Sequence, residues 1–338
     1  MGKSLFRDAV NSDNRLKDKM LDGACRLVEL DREDALTDST LLKRAIKLFH
    51  DIKIYSHDFE PYLLQASSSY FEAWAVSQAG AAYIATYVDK CNKLIERETT
   101  RCDLIGLDRD TKRKLLEIID KALVADKEAV LLHENDILGL LRTNNHVGLE
   151  QLYTLLERQK LGSKLKPTFS TFIVSEGSAI VFDEENEGDM IPKLLQFKHN
   201  LDTITKKSFR QNETLTNTLR EAFETFMNQT QKTQANWNTD NSKVGEMIAK
   251  YVDLLLRGGI KAIQGRNAQS RAGGSVLVDE DTEVNKQLDQ VLDLFRFVHG
   301  KAVFEAFYKN DLARRLLMGR SANDEAEKGM LSRLKTGK

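Results

Sequence analysis

Proline and cysteine are both scarce, with three of each in 338 residues. The prolines stand at Pro61, Pro167 and Pro192, so long stretches lack the residue that breaks helices. Cys25, Cys91 and Cys102 are odd in number and unrelated in spacing, and no CxxC pair occurs. Neither a disulfide framework nor a zinc ribbon is indicated, and a reducing compartment is expected. No apolar run approaches the roughly 18 residues of a membrane-spanning helix. The start, Met1-Gly2-Lys3-Ser4-Leu5-Phe6, lacks the apolar core of a secretory signal, and Phe6 stands where a myristoylation signal needs Ser or Thr. A dominant charge is missing as well: 50 Lys and Arg oppose 51 Asp and Glu. The signs are mixed even locally, as in Arg109-Asp110-Thr111-Lys112-Arg113-Lys114. Such a balance provides no long-range field for gathering nucleic acid or an anionic membrane. Both ends read as cut from a longer chain.

The hydrophobic fraction of 41% is enough to build cores, and the length exceeds what one core comfortably serves, so more than one unit is expected. Strand-like alternation is scarce and helical periodicity is widespread. Val244, Met247, Ile248, Tyr251, Val252 and Leu255 fall at i, i+3, i+4, i+7, i+8 and i+11, one face of a helix. Leu288, Val291, Leu292, Phe295 and Val298 form a second stripe, and Leu215, Leu219, Ala222, Phe223, Phe226 and Met227 a third. Asp58 ahead of Pro61, and Ser321 with Asp324 at capping-box spacing, read as helix starts. The fold class is all-α.

A faint repeat underlies the stripes. Leu5-Phe6-Arg7, Leu152-Tyr153-Thr154 and Leu294-Phe295-Arg296 each read as opening an amphipathic helix, 147 residues apart (152 less 5) and then 142 (294 less 152). Leu48-Phe49 and Leu194-Leu195 begin a second pair in the same register. A shared offset points to duplicated multi-helix units. Two stretches break the pattern. Residues 229–243 are polar and turn-like, and 257–283 is rich in Gly, Ser, Asn and Arg before turning acidic, an expected disordered insert.

Chemical motifs are fragmentary. His50, Asp51, His57 and Asp58 have metal-capable side chains, but a helix start near Pro61 would break the geometry, leaving a polar interhelical corner. His133-Glu134-Asn135-Asp136 begins like a zincin motif, yet Ile137 occupies the place of its second His. Gly258-Gly259 and Gly273-Gly274 fit no phosphate-binding loop and read as flexible. Trp74 reads as core. Trp237 lies in a polar loop where it could anchor a partner. Lys261, Arg266 and Arg271 lack the interleaved aromatics of a single-strand nucleic-acid site. No catalytic, cofactor-binding or metal-binding residue is assigned, and no cofactor is expected.

The most specific residues lie at 294–335: Phe295, Lys301 through Phe304, Phe307-Tyr308, Leu312-Ala313-Arg314-Arg315-Leu316-Leu317, Ser321-Ala322, Glu325-Ala326-Glu327 and Met330-Leu331. This segment resembles the cullin family at the junction between its last helical repeat and its C-terminal domain. His299-Gly300-Lys301 and Val303 through Tyr308 are most similar to the cullin-4 branch. Looser matches at Leu5-Phe6-Arg7-Asp8, Asp22-Gly23, Ile54-Tyr55, Asp58-Phe59-Glu60 and Ala249-Lys250-Tyr251-Val252-Asp253 extend the resemblance over nearly the whole chain.

The resemblance implies an elongated stack of multi-helix repeats. Residues 1–10 would end the first repeat, 11–158 form the second, 159–305 the third, and 306–338 open the C-terminal four-helix-bundle region. It further implies a rigid, non-catalytic scaffold segment of a cullin-RING ubiquitin ligase. The full-length partners would be a β-propeller-type adaptor with substrate receptors, a RING-box protein and a ubiquitin-conjugating enzyme, contacted mostly outside this chain. Nucleus and cytoplasm are the expected locations, without direct nucleic-acid or membrane binding. The alternative is a general α-solenoid adaptor or tethering scaffold unrelated to ubiquitin.

Overall fold

The computed structural model describes residues 2–33, 39–80, 83–229, 242–264, 280–319, 321 and 324–336. Among the described residues all regular structure is helical, and the chain divides into two compact units, Met1–Lys164 and Leu165–Lys338. No helix among these residues is long and apolar enough to cross a membrane.

The first unit contains α1 (Gly2–Ser12), α2 (Asn14–Arg32), α3 (Ser39–Asp51), α4 (Glu60–Ala79), α5 (Ile84–Ile105), α6 (Arg109–Leu123), α7 (Glu128–Leu131), α8 (Glu134–Arg142) and α9 (His146–Glu157). Local chemistry sets several boundaries. The Asp13 carboxylate accepts from the Arg15 and Leu16 amides at 3.0 and 3.2 Å, capping α2. Asn145 accepts from the Gly148 amide at 2.9 Å, capping α9. Gly106, at φ 76°, closes α5 in the left-handed region that glycine enters without cost. Val10, Val28, Ile46, Phe49, Phe59 and Leu63 belong to one buried cluster drawn from α1 to α4. Each such side chain withdrawn from water contributes roughly 1.5–3 kcal/mol.

The second unit contains α10 (Lys166–Val181), α11 (Met190–Thr203), α12 (Glu213–Met227), α13 (Ser242–Gln264), α14 (Glu280–Phe295), α15 (Lys301–Met318) and α16 (Asp324–Thr336). The stripe read along 215–227 is buried throughout, as is the one along 244–255. The third stripe is buried at Leu288, Val291 and Val298 and partly buried at Leu292 and Phe295. Helix α10 lies so close to α12 that a Cβ on Gly177 would stand 2.5 Å from the Phe226 ring, so glycine is required by contact. Among the described residues each unit also has one π-helical turn between two helices: Tyr55–Phe59 between α3 and α4, and Ile204–Ser208 between α11 and α12. Leu48-Phe49 and Leu194-Leu195, read as a repeated pair, fall in α3 and α11, just ahead of these turns.

Four local expectations are corrected. Leu152-Tyr153-Thr154 lies inside α9, and Leu294-Phe295 ends α14, so neither opens a helix; for α9 the start is set upstream by Asn145. Asp58 does not cap α4, because the π-helical turn runs directly into it; the carboxylate instead pairs with Lys17 at 2.8 Å. Ser321 turns its hydroxyl to the Glu327 carboxylate at 3.2 Å rather than serving a capping box. Finally, the 257–283 insert is too wide. Helix α13 runs through Gly258-Gly259 to Gln264 and α14 starts at Glu280. An interior glycine costs a helix about 1 kcal/mol, less than the buried stripe of α13 returns. Trp237, Arg266, Arg271 and Gly273-Gly274 lie outside the described residues.

Candidate functional site

The side chains singled out for chemistry do not converge. His50 closes α3, stacks on Tyr55 with ring centroids 3.9 Å apart, and lies 3.5 Å from the Asp108 carboxylate. His57 and Asp58 occupy the π-helical turn. The group is a polar corner between helices. His133 precedes α8 with its Nδ1 2.9 Å from Asp136, and Ile137 is buried. Among the described residues no cluster of three His, Cys, Asp or Glu could hold a metal ion. Trp74 is half-buried rather than core, its ring 6.5 Å from that of the buried Tyr87. Lys261 lies within α13.

Cys25, Cys91 and Cys102 are free and buried. Burial pushes the Cys25 and Cys91 thiols up to about 12 and that of Cys102 up to about 11. All three are therefore thiols at neutral pH, the form that is not nucleophilic. A shallow cleft of about 390 Å³ runs along α6, lined by Arg109, Lys112, Arg113, Leu116, Glu117, Asp120 and Arg158. Its charges are largely paired: Arg158 with Asp120 at 3.1 Å, Arg113 with Glu117 at 2.8 Å, and Lys112 with Asp103 at 2.5 Å.

What the interior does hold is a set of polar clamps. In the first unit Arg32, near the end of α2, donates from Nε and Nη2 to the two oxygens of Glu98 on α5, both at 3.1 Å. Its Nη2 also reaches the Ser67 hydroxyl on α4 at 3.0 Å. The guanidinium lies over the Tyr70 and Phe71 rings, 4.8 and 4.7 Å from their centroids. Arg101 bonds to Glu98 from one side and to Asp31 from the other. Burial alone would lower the Arg101 pKa, but the two carboxylates outweigh it and hold the group above its ordinary value. Three helices meet at Glu98.

A second clamp joins the π-helical turn, α4 and α6. Tyr55 donates to the Thr111 hydroxyl at 2.9 Å, and Thr111 donates to Glu60 at 3.1 Å. Glu60 also pairs with Lys114. The Asp108 amide donates back to the Tyr55 oxygen at 3.1 Å.

The third clamp lies in the second unit and includes the most specific sequence motif. Arg315 of α15 donates from Nε and Nη2 to the two oxygens of Glu327 on α16, at 2.6 and 3.1 Å, and from Nη1 to Asp253 on α13. Tyr308 lies beneath it, 5.7 Å from ring centroid to guanidinium carbon. Burial lowers the Arg315 pKa and the bonds to Glu327 and Asp253 raise it further, leaving it above its usual value. The model of the cullin alpha solenoid domain matches residues 1–337. The chain belongs to the cullin family. Human Cullin-4A is 34% identical over 99% of this chain and 41% of its own length. Cullin-4 of Dictyostelium discoideum is 29% identical over 99% of the chain and 38% of its own, and Cullin-3 of the same organism is 28% identical over 99% and 42%. The likeness supports the cullin-4 branch, and the chain spans about two fifths of these curated relatives.

In this cullin chain, sequence reasoning found the segment that includes Arg315 but not what the arginine does. It missed Arg32, Glu98 and Arg101 altogether. A signal was present on α5, where Tyr87, Cys91, Leu94, Glu98, Cys102 and Ile105 repeat at helical spacing. A carboxylate inside an otherwise apolar stripe requires a buried partner. Its partner, however, comes from another helix, 66 positions away.

Proposed function

We propose that the chain is a rigid, non-catalytic spacer segment of a cullin-RING ubiquitin ligase. One observation carries this reading. Each buried arginine and glutamate among the described residues (Arg32, Glu60, Glu98, Arg101, Arg315 and Glu327) is bonded to a polar group on another helix. Charges used in this way stiffen a unit; an enzyme would instead present such groups to a substrate cleft. A ligase that acts by holding a loaded conjugating enzyme beside a substrate lysine gains rate through proximity and orientation, and a stiff spacer preserves both.

The finer assignments belong to the same proposal. Residues 11–158 and 159–305 are the second and third helical repeats, preceded by the end of the first at 1–10. Residues 306–338 open the following helical bundle, which would cover the exposed Leu316, Leu317 and Met318 of α15. The adaptor, the RING-box protein and the conjugating enzyme bind the full-length protein mostly outside this chain, which works in nucleus and cytoplasm. The test is a flexible Gly-Ser insertion between Gly162 and Ser163 of the full-length protein. Substrate ubiquitination should fall while binding of adaptor and RING-box protein is retained. An unchanged rate would refute the spacer reading, and capture of extended peptides by the unaltered chain would favour a general adaptor.

A further inference from the structure

Helix α16 is attached to its unit by little apolar surface. Ala326 and Met330 are buried and Leu334 is partly buried, whereas Leu331 is 37% exposed and Glu325, Lys328, Ser332 and Lys335 face solvent. Apolar contact is non-directional, so these few residues hold a helix near its neighbours without fixing its angle. A helix of 13 residues is also marginal by itself. The outer tie, Arg333 to Asp289 at 2.6 Å and to Asn285 at 3.2 Å on α14, includes a carboxylate that is 61% exposed, and such pairs are weak and screened by salt.

The inner tie differs in kind. The Arg315 side chain is fully buried, and its planar fork meets both oxygens of Glu327 while a third donor reaches Asp253. Asp253 is also held by Arg257 at 2.9 Å, so the two carboxylates are balanced by two guanidiniums. Ser321 adds a bond to Glu327. A bidentate fork satisfies both carboxylates only when α13, α15 and α16 stand at one mutual angle. We propose that Arg315 is a positioning residue that sets the angle of α16 against α13 and α15 within the second unit. The inference rests on the spacer reading and specifies one residue through which position is passed onward.

The decisive substitution is Arg315→Lys, which keeps the positive charge but replaces the fork with a point charge. The test uses the whole 338-residue chain with spin labels at Lys328→Cys on α16 and Asp293→Cys on α14, both exposed positions. The native cysteines are buried and do not compete for label. With Arg315→Lys, the melting temperature should stay within about 3 °C of the parent. Amide exchange over residues 325–335 should accelerate about tenfold or more, the factor for losing one charge-assisted bond. The label-to-label distance distribution should broaden. The Arg315→Met/Glu327→Met variant, which keeps apolar packing, should fold and show the same broadening. Parent-like exchange and a sharp distribution in Arg315→Lys would overturn the proposal. So would α16 exchange that merely follows global unfolding of the unit in both variants, since that marks an ordinary core residue. Broadening in α16 with unchanged ubiquitination by the full-length variant would instead leave Arg315's role standing and remove the spacer reading.

Discussion

Replacing Glu98 by alanine tests whether buried charge holds the first unit together. Glu98 is 1% exposed and pairs with both Arg32 and Arg101, themselves 6% and 8% exposed. Without it, two guanidiniums remain in the interior, and Arg101 keeps the partly solvated carboxylate of Asp31. Removing one partner from a buried ion pair costs about 3–5 kcal/mol, because the surviving charge has lost both water and partner. For a unit of this size each kcal/mol lowers the melting temperature by about 2–4 °C, so a drop of about 6–20 °C is expected. Calorimetry provides the measurement, with amide exchange over residues 84–105 assigning the transition to the first unit. The companion variant, Arg32→Met/Glu98→Leu/Arg101→Met, removes the three buried charges together, leaving only the partly solvated Asp31, and should melt near the parent or above it. A Glu98→Ala protein melting within about 2 °C of the parent would refute the clamp.

Gly177→Ala should cost about 1–3 kcal/mol in urea unfolding, because the new methyl meets the fully buried Phe226 ring; an unchanged midpoint would mean that α10 and α12 can separate freely. Phe223→Asp places a charge among the Phe197, Phe226 and Phe297 rings, 4.9–6.0 Å away, and should abolish cooperative melting of the second unit. An intact transition by circular dichroism would count against this core. Alkaline pH should destabilise the first unit, which holds all three cysteines. Their folded pKa values of about 11–12 exceed the ordinary 9.0, so the unfolded chain releases protons that the folded chain keeps. The stabilisation is complete below pH 9 and is lost as pH rises from there toward 11–12, by up to about 1.4 kcal/mol per pH unit per thiol. Melts between pH 8 and 10.5 should show that slope, and Cys25→Ala/Cys91→Ala/Cys102→Ala should flatten it; equal slopes would reject the mechanism.

The amino-acid order alone determined the helices and their buried faces. The stripes at 215–227 and 244–255 are buried throughout because helical period is a local property, and the apolar side of an amphipathic helix has one stable destination. Family membership was equally legible, since residues 294–335 keep many identities at fixed spacing. Helix starts were less so. Asp58 and Ser321 have capping chemistry, but a short polar side chain bonds to whichever partner packing brings near, and here those are Lys17 and Glu327. Nor could local reading show that α13 continues across two glycines, because the compensating contacts come from α14 and α15. The clamps were decided by tertiary structure alone. Arg32 and Glu98 lie 66 positions apart, and Arg315 meets Asp253 across 62. Composition shows that arginines and carboxylates are plentiful; only the fold removes water from particular ones, and only that loss of water makes their pairing decisive.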